Sequence, residues 1–254
     1  MSWNDFTKPA YALAAIALFG TAGTASAEVL IVRSTGPSAA SYPPGRQLPD
    51  ATKIALKAND MVVLLDGGGT RTLRGPGMFN AVASSGQASD TRTSFAALVT
   101  QRAERRARIG AVRPLDPASS QPARSPNIWY TDVRQSGRIC MREGSDVMLW
   151  RPSIATPMDA TITASDGSKA TVSWERGQAA VTWPAAIKLV PQTDYTVSWK
   201  GAAKPSKLSF VPIGPDPAGL EDMASALIRN GCQAQLDLLI EMVALPDANP
   251  ATAG

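Results

Sequence analysis

Histidine is absent from all 254 residues, and with it go the usual general base and the commonest metal ligand. Most hydrolase and metalloenzyme mechanisms are disfavoured at once. Cysteine is limited to Cys140 and Cys232, so any disulfide is a single pair. Net charge is only +4, from 25 basic and 21 acidic residues, which is no electrostatic footprint for nucleic acid. No nucleic-acid partner and no cofactor are expected. The one apolar run of any length, Ala10 to Phe19, is too short to span a bilayer.

That run has the form of a secretory leader. Lys8 supplies the positive n-region, and Ala25-Ser26-Ala27 is an A-x-A cleavage site, so residues 1–27 are expected to be removed. No cysteine lies near the cut to take a lipid. The mature chain is expected in the periplasm or outside the cell, with no transmembrane segment left. An oxidising compartment makes a Cys140–Cys232 disulfide plausible, closing a loop worth about 4 kcal/mol in the chain-entropy model; two separate buried thiols are the alternative.

The first β region is read over residues 28–89. Glu28 to Arg33 opens it as a strand, and a Gly, Pro and Ser-rich loop follows to Tyr42-Pro43-Pro44-Gly45. Ile54, Leu56 and Ala58 alternate with Lys53, Ala55 and Lys57, the period of a half-buried strand. Met61 to Leu65 is continuously apolar, as in a strand covered on both sides. Asp66 to Gly69 is a turn, Thr70 to Leu73 returns, and Gly75-Pro76-Gly77 is expected to end the ladder. A phosphate-binding loop would need its glycines to open a helix through Lys-Ser or Lys-Thr, whereas these open Thr-Arg-Thr-Leu, a strand pattern.

The run Tyr42-x-x-Gly45, Leu48, Ile54-x-Leu56, Asn59-Asp60-x-Val62, Gly69-x-Arg71-x-Leu73-x-Gly75-Pro76 resembles the FecR-type domain of bacterial envelope proteins. The resemblance covers about a fifth of the chain and rests on turn glycines and apolar positions. It implies a periplasmic module of short consecutive strands used for protein or ligand contact. The iron-transport regulators of that family place a sigma-factor-interacting segment and a transmembrane helix before the domain. This chain has a cleavable leader there, so signalling across the membrane is not implied.

Residues 90–126 read as a basic helix and a linker. Thr91 to Arg108 fits a helix carrying Arg102, Arg105, Arg106 and Arg108, a candidate surface for an acidic partner or an anionic surface and otherwise a solvated face. Pro114 to Pro126 is Pro-rich linker.

A β-sandwich is expected over residues 127–213. Strands are read at Ile128 to Arg134, Gly137 to Met141 and Asp146 to Trp150. Ala170, Val172 and Trp174, then Tyr195, Val197 and Trp199, then Leu208 and Phe210 each alternate with polar residues. Asp166-Gly167 and Arg176-Gly177 read as hairpin turns. Leu189-x-Pro191-x-Thr193-x-Tyr195-x-Val197 resembles the tyrosine corner of immunoglobulin-like and fibronectin type III sandwiches, which implies a tyrosine hydroxyl bonded back to the backbone. Trp174 and Trp199 belong to the core by this pattern. Trp150-Arg151 and Trp183 end strands and form a candidate ligand rim, where exposed indoles would stack on a glycan.

Residues 214–245 carry helical spacing in Leu220, Met223, Ala224, Leu227 and Ile228 and again in Leu236, Leu239, Ile240 and Val243, an αα-hairpin broken at Asn230-Gly231. Asp216 before Pro217 is the expected N-cap. If the cystine forms, it ties the sandwich to these helices. Residues 246–254 read as a disordered tail. The carboxylates Glu143, Asp146, Asp159 and Glu175 form no catalytic spacing, and Ser168-Lys169 reads as turn chemistry. The chain is therefore read as mainly β, a non-enzymatic exported protein contacting another envelope protein. The alternatives are a glycan-binding module using the rim tryptophans and a histidine-free hydrolase.

Overall fold

The computed structural model describes residues 28–82, 124–214 and 217–244. Residues 1–27, read above as a leader, the segment bearing Arg102, Arg105, Arg106 and Arg108, most of the Pro-rich stretch, Asp216 and the last ten residues lie outside the described residues.

The first β region holds β1 (Glu28–Thr35), β2 (Gln47–Pro49), β3 (Lys53–Leu56), β4 (Met61–Asp66), β5 (Gly69–Arg74) and β6 (Gly77–Asn80). Four of them form an antiparallel sheet in the order β2-β1-β4-β5, and β3 pairs with β6. β1 and β4 are apolar on both faces. Val29, Ile31, Val62 and Leu64 pack with Leu48, Ile54, Leu56 and Leu73 on one side. Leu30, Val32, Val63 and Leu65 point the other way, into a second core. Period-two alternation in strands covered on both faces thus accounts for the unbroken run Met61 to Leu65.

Ile54 and Leu56 are buried between exposed Lys53 and Ala55, as their alternation predicts, while Ala58 falls outside the strand. The β4–β5 turn is held by Asp66, whose Oδ1 accepts the Gly68 N–H at 2.8 Å. Gly75 is required by crowding, since a Cβ there would sit 2.0 Å from the Lys57 carbonyl oxygen. The Gly75–Gly77 stretch ends the pairing with β4, and the chain then continues into β6.

Asp60 stitches this region together. Its carboxylate is buried and accepts the N–H groups of Ser38 (2.8 Å) and Lys57 (2.5 Å), while its carbonyl accepts the Gly75 N–H at 3.0 Å. Burial alone would raise its pKa; the Ser38 and Lys57 hydrogen bonds and the Lys57 charge outweigh that and hold it below the usual value.

Eight further strands form the sandwich: β7 (Tyr130–Asp132), β8 (Gly137–Arg142), β9 (Met148–Trp150), β10 (Met158–Ala164), β11 (Lys169–Trp174), β12 (Ala180–Thr182), β13 (Asp194–Trp199) and β14 (Ser206–Ile213). A five-stranded sheet, β11-β10-β13-β14-β8, faces a three-stranded one, β12-β9-β7. Pairing is antiparallel except β14 with β8 and β7 with β9. Leu149, Ile162, Val172, Trp174, Tyr195, Val197, Leu208 and Phe210 fill the space between them, and Trp199 packs against that core.

The tyrosine corner is formed as its residues imply. The Tyr195 hydroxyl donates to the Lys188 carbonyl at 3.0 Å and accepts the Val190 N–H at 2.7 Å, while its ring is buried. Asp166-Gly167 makes the expected hairpin, with Gly167 at φ +85° and Asp166 accepting the Ser168 N–H. Arg176-Gly177 does not. It is a turn, but it carries the chain from β11 to the opposite sheet, where β12 pairs with β9.

The C-terminal hairpin is α1 (Leu220–Asn230) and α2 (Gln233–Met242). The N-cap of α1 is Gly219, two residues beyond Pro217, and it has no side-chain hydrogen bond. Its end follows the expected pattern: Gly231 is left-handed at φ +69°, and the Cys232 N–H bonds the Leu227 carbonyl at 2.9 Å. Leu220, Met223, Leu227, Leu236 and Leu239 then join Leu30, Val32, Val63 and Leu65 of the first region and Ile128, Cys140 and Ile213 of the second in one core. The hairpin is the shared layer between the two β regions.

Candidate functional site

The predicted ligand rim is not a rim. Trp150 is 4% exposed and Arg151 3%: β9 is the central strand of its sheet, and other parts of the chain cover both side chains. The Arg134 guanidinium covers the Trp150 ring at 5.7 Å. Arg151 donates to the carbonyls of Gln178 (3.1 Å), Thr156 (2.6 Å) and Glu175 (2.8 Å), so its charge is spent on closing two loops. Trp183 is half-buried, edge-on to Tyr195 at 5.0 Å and to Phe210 at 5.2 Å, with its Nε1–H donated to the Ile187 carbonyl. The Trp150 ring is thus covered, and the Trp183 ring packs edge-on against the sandwich core.

Cys140 and Cys232 are brought together. They form a disulfide with Cα atoms 5.7 Å apart across 92 residues, joining β8 to the α1–α2 corner. Beside it, Gln235 is buried and acts as a substitute strand. Its Oε1 accepts the Cys140 N–H at 2.6 Å, and its Nε2 donates to the carbonyls of Cys140 (2.9 Å) and Ile128 (3.0 Å). At Cys140 the outer edge of β8 is thereby satisfied by a helix side chain, which meets the rule that buried backbone groups are bonded.

The hairpin treats the first β region in the same way. The Thr70 N–H donates to the Val243 carbonyl at 3.0 Å and its hydroxyl to the Ile240 carbonyl at 3.1 Å, covering the start of β5. Arg33 pairs with Asp237.

A cleft of about 290 Å³ runs between β7 and α2, lined by Tyr130, Asp132, Arg134, Asp237 and Glu241 among others. Its charges are paired internally. Arg134 meets Asp132 at 2.7 Å, and this hydrogen bond raises the arginine's pKa against the opposing effect of burial. Glu241 pairs with Arg124 and Asp237 with Arg33.

Among the described residues no cluster of three metal-ligating side chains is present, and no helix is long and apolar enough to cross a membrane. Ser168 and Lys169 occupy the β10–β11 hairpin, where the Ser168 amide serves the turn. No family model matches the chain, and no curated protein matches it.

Sequence reasoning missed Gln235. The signal was its place three residues after Cys232, on the helical face that also carries Leu236 and Leu239.

Proposed function

We propose that this chain is an exported envelope protein that acts by protein contact, presenting two β modules on one rigid helical support. The observation that carries the reading is the locking of that support. The Cys140–Cys232 bond, the three Gln235 hydrogen bonds and the Thr70 contacts fix both modules to the same hairpin. A contact surface held this way loses little conformational freedom when a partner binds. The disulfide and the leader-like N-terminus support an oxidising compartment, in keeping with the FecR-like pattern of the first module.

The test is site-specific photo-crosslinking in the exporting cell. Crosslinkers placed at exposed Met78 of β6 and Thr171 of β11 are expected to give adducts of one defined mass, absent when the crosslinker is at buried Trp174. Uniform smears from both exposed positions would sink the reading.

A further inference from the structure

Several strand edges in this fold are covered by side chains or by the helical hairpin. Gln235 covers β8, and the end of α2 covers β5 at Thr70. The Tyr42 hydroxyl donates to the Ala55 carbonyl and accepts the Ala55 N–H on β3. Arg71 bonds the carbonyls of Asn80 and Ala81 at β6. β11 is the other edge of the five-stranded sheet, six residues long, and among the described residues no strand or side chain bonds its outer side.

The phase of that edge follows from the hairpin. The Ala164 N–H bonds the Ser168 carbonyl at 2.9 Å, and antiparallel alternation then turns Ala170, Val172 and Trp174 toward β10 for hydrogen bonding. The N–H and C=O groups of Lys169, Thr171 and Ser173 point outward. The side chains of Lys169, Thr171, Ser173 and Glu175 are all exposed, and the two charges stand at opposite ends with no ion-pair partner among the described residues.

We infer that two copies of this chain join through their β11 edges, antiparallel across a two-fold axis at Val172, to give one continuous sheet. The inference rests on the reading of the β modules as contact surfaces and names the partner as a second copy. This register sets Thr171 opposite Ser173 of the partner subunit, in phase for a hydrogen-bonded pair, and Lys169 opposite Glu175 of the partner subunit, each twice. An axis at Thr171 would set Lys169 against Ser173 of the partner subunit and leave both charges unmatched. The ladder ends at Ser173, because the Glu175 N–H is bonded to Gln178 Oε1 and its carbonyl to Arg151. Glu175 contributes its carboxylate alone. The interface is isologous, so each charge pair occurs twice and sets the register.

The experiment is light scattering coupled to gel filtration on the leader-free chain at low salt. A dimer is expected. Lys169→Glu should weaken it about tenfold, the loss from two surface charge pairs turned repulsive, and Lys169→Glu with Glu175→Lys should restore it. Both positions are exposed, and circular dichroism checks that the variants fold. A monomer at every accessible concentration, or a dimer indifferent to Lys169→Glu, would overturn the inference. A monomer that still gives the cellular crosslinks removes the dimer and leaves the contact reading standing.

Discussion

The two β regions solve the problem of burial differently. In the first, β1 and β4 are apolar on both faces, and one of those faces is covered by the helical hairpin. In the second, β10, β11 and β13 are apolar on one face only, and the opposing three-stranded sheet covers it. The sandwich therefore carries a core of its own, whereas the first region borrows half of its core from helices that begin only at Leu220, beyond the whole sandwich in sequence. A short sheet needs something on each apolar face, and here the chain supplies it late.

Breaking the shared layer should have the largest effect. Leu227 is fully buried where α1 meets the first region, and Leu227→Ala should cost about 3 kcal/mol, read as a lower urea midpoint. Gln235→Ala is next. It leaves the Cys140 amide and carbonyl and the Ile128 carbonyl without partners in a buried setting, and a loss of about 2 kcal/mol is expected by the same measurement.

The smallest effect sharpens the contrast by pH. Asp60 has a lowered pKa, so its contribution to stability is present above the ordinary carboxylate value and is lost as pH falls through the lower folded value. Asp60→Asn should weaken the protein at neutral pH and flatten its acid dependence, with urea midpoints across the acid range as the check. An unchanged acid slope would place the titration elsewhere.

Much of this fold was legible in the sequence, and the reason is periodicity. Val172 and Trp174, Tyr195 and Val197, and Leu208 and Phe210 alternate cleanly, and each is buried as the pattern requires. The tyrosine corner and the Asn230-Gly231 stop are local motifs whose geometry depends on neighbours in sequence, so they too could be read directly. The three-residue strand β2 is too short to show a period.

What could not be read depends on distant partners. Trp150 and Trp183 end strands, where alternation no longer says which layer a side chain enters, and their covers, Arg134 and Phe210, lie elsewhere in the chain. Arg151 looked exposed because arginine usually is; three loop carbonyls from residues 156–178 bury it. Arg176-Gly177 has hairpin chemistry, but the sandwich needs a crossing there. The basic segment with Arg102, Arg105, Arg106 and Arg108 lies outside the described residues, so its part in any contact stays with the sequence expectation.

The central claim is that the hairpin supplies half of the first region's core, whereas the sandwich, though tied to the same hairpin, keeps a core of its own between its two sheets. Amide hydrogen exchange on Leu227→Ala tests it most directly. The account predicts that protection falls together in β1, β4, α1 and α2, while β10, β13 and β14 keep theirs. Equal loss across all of these strands, or loss confined to the helices with β1 and β4 unchanged, would contradict it.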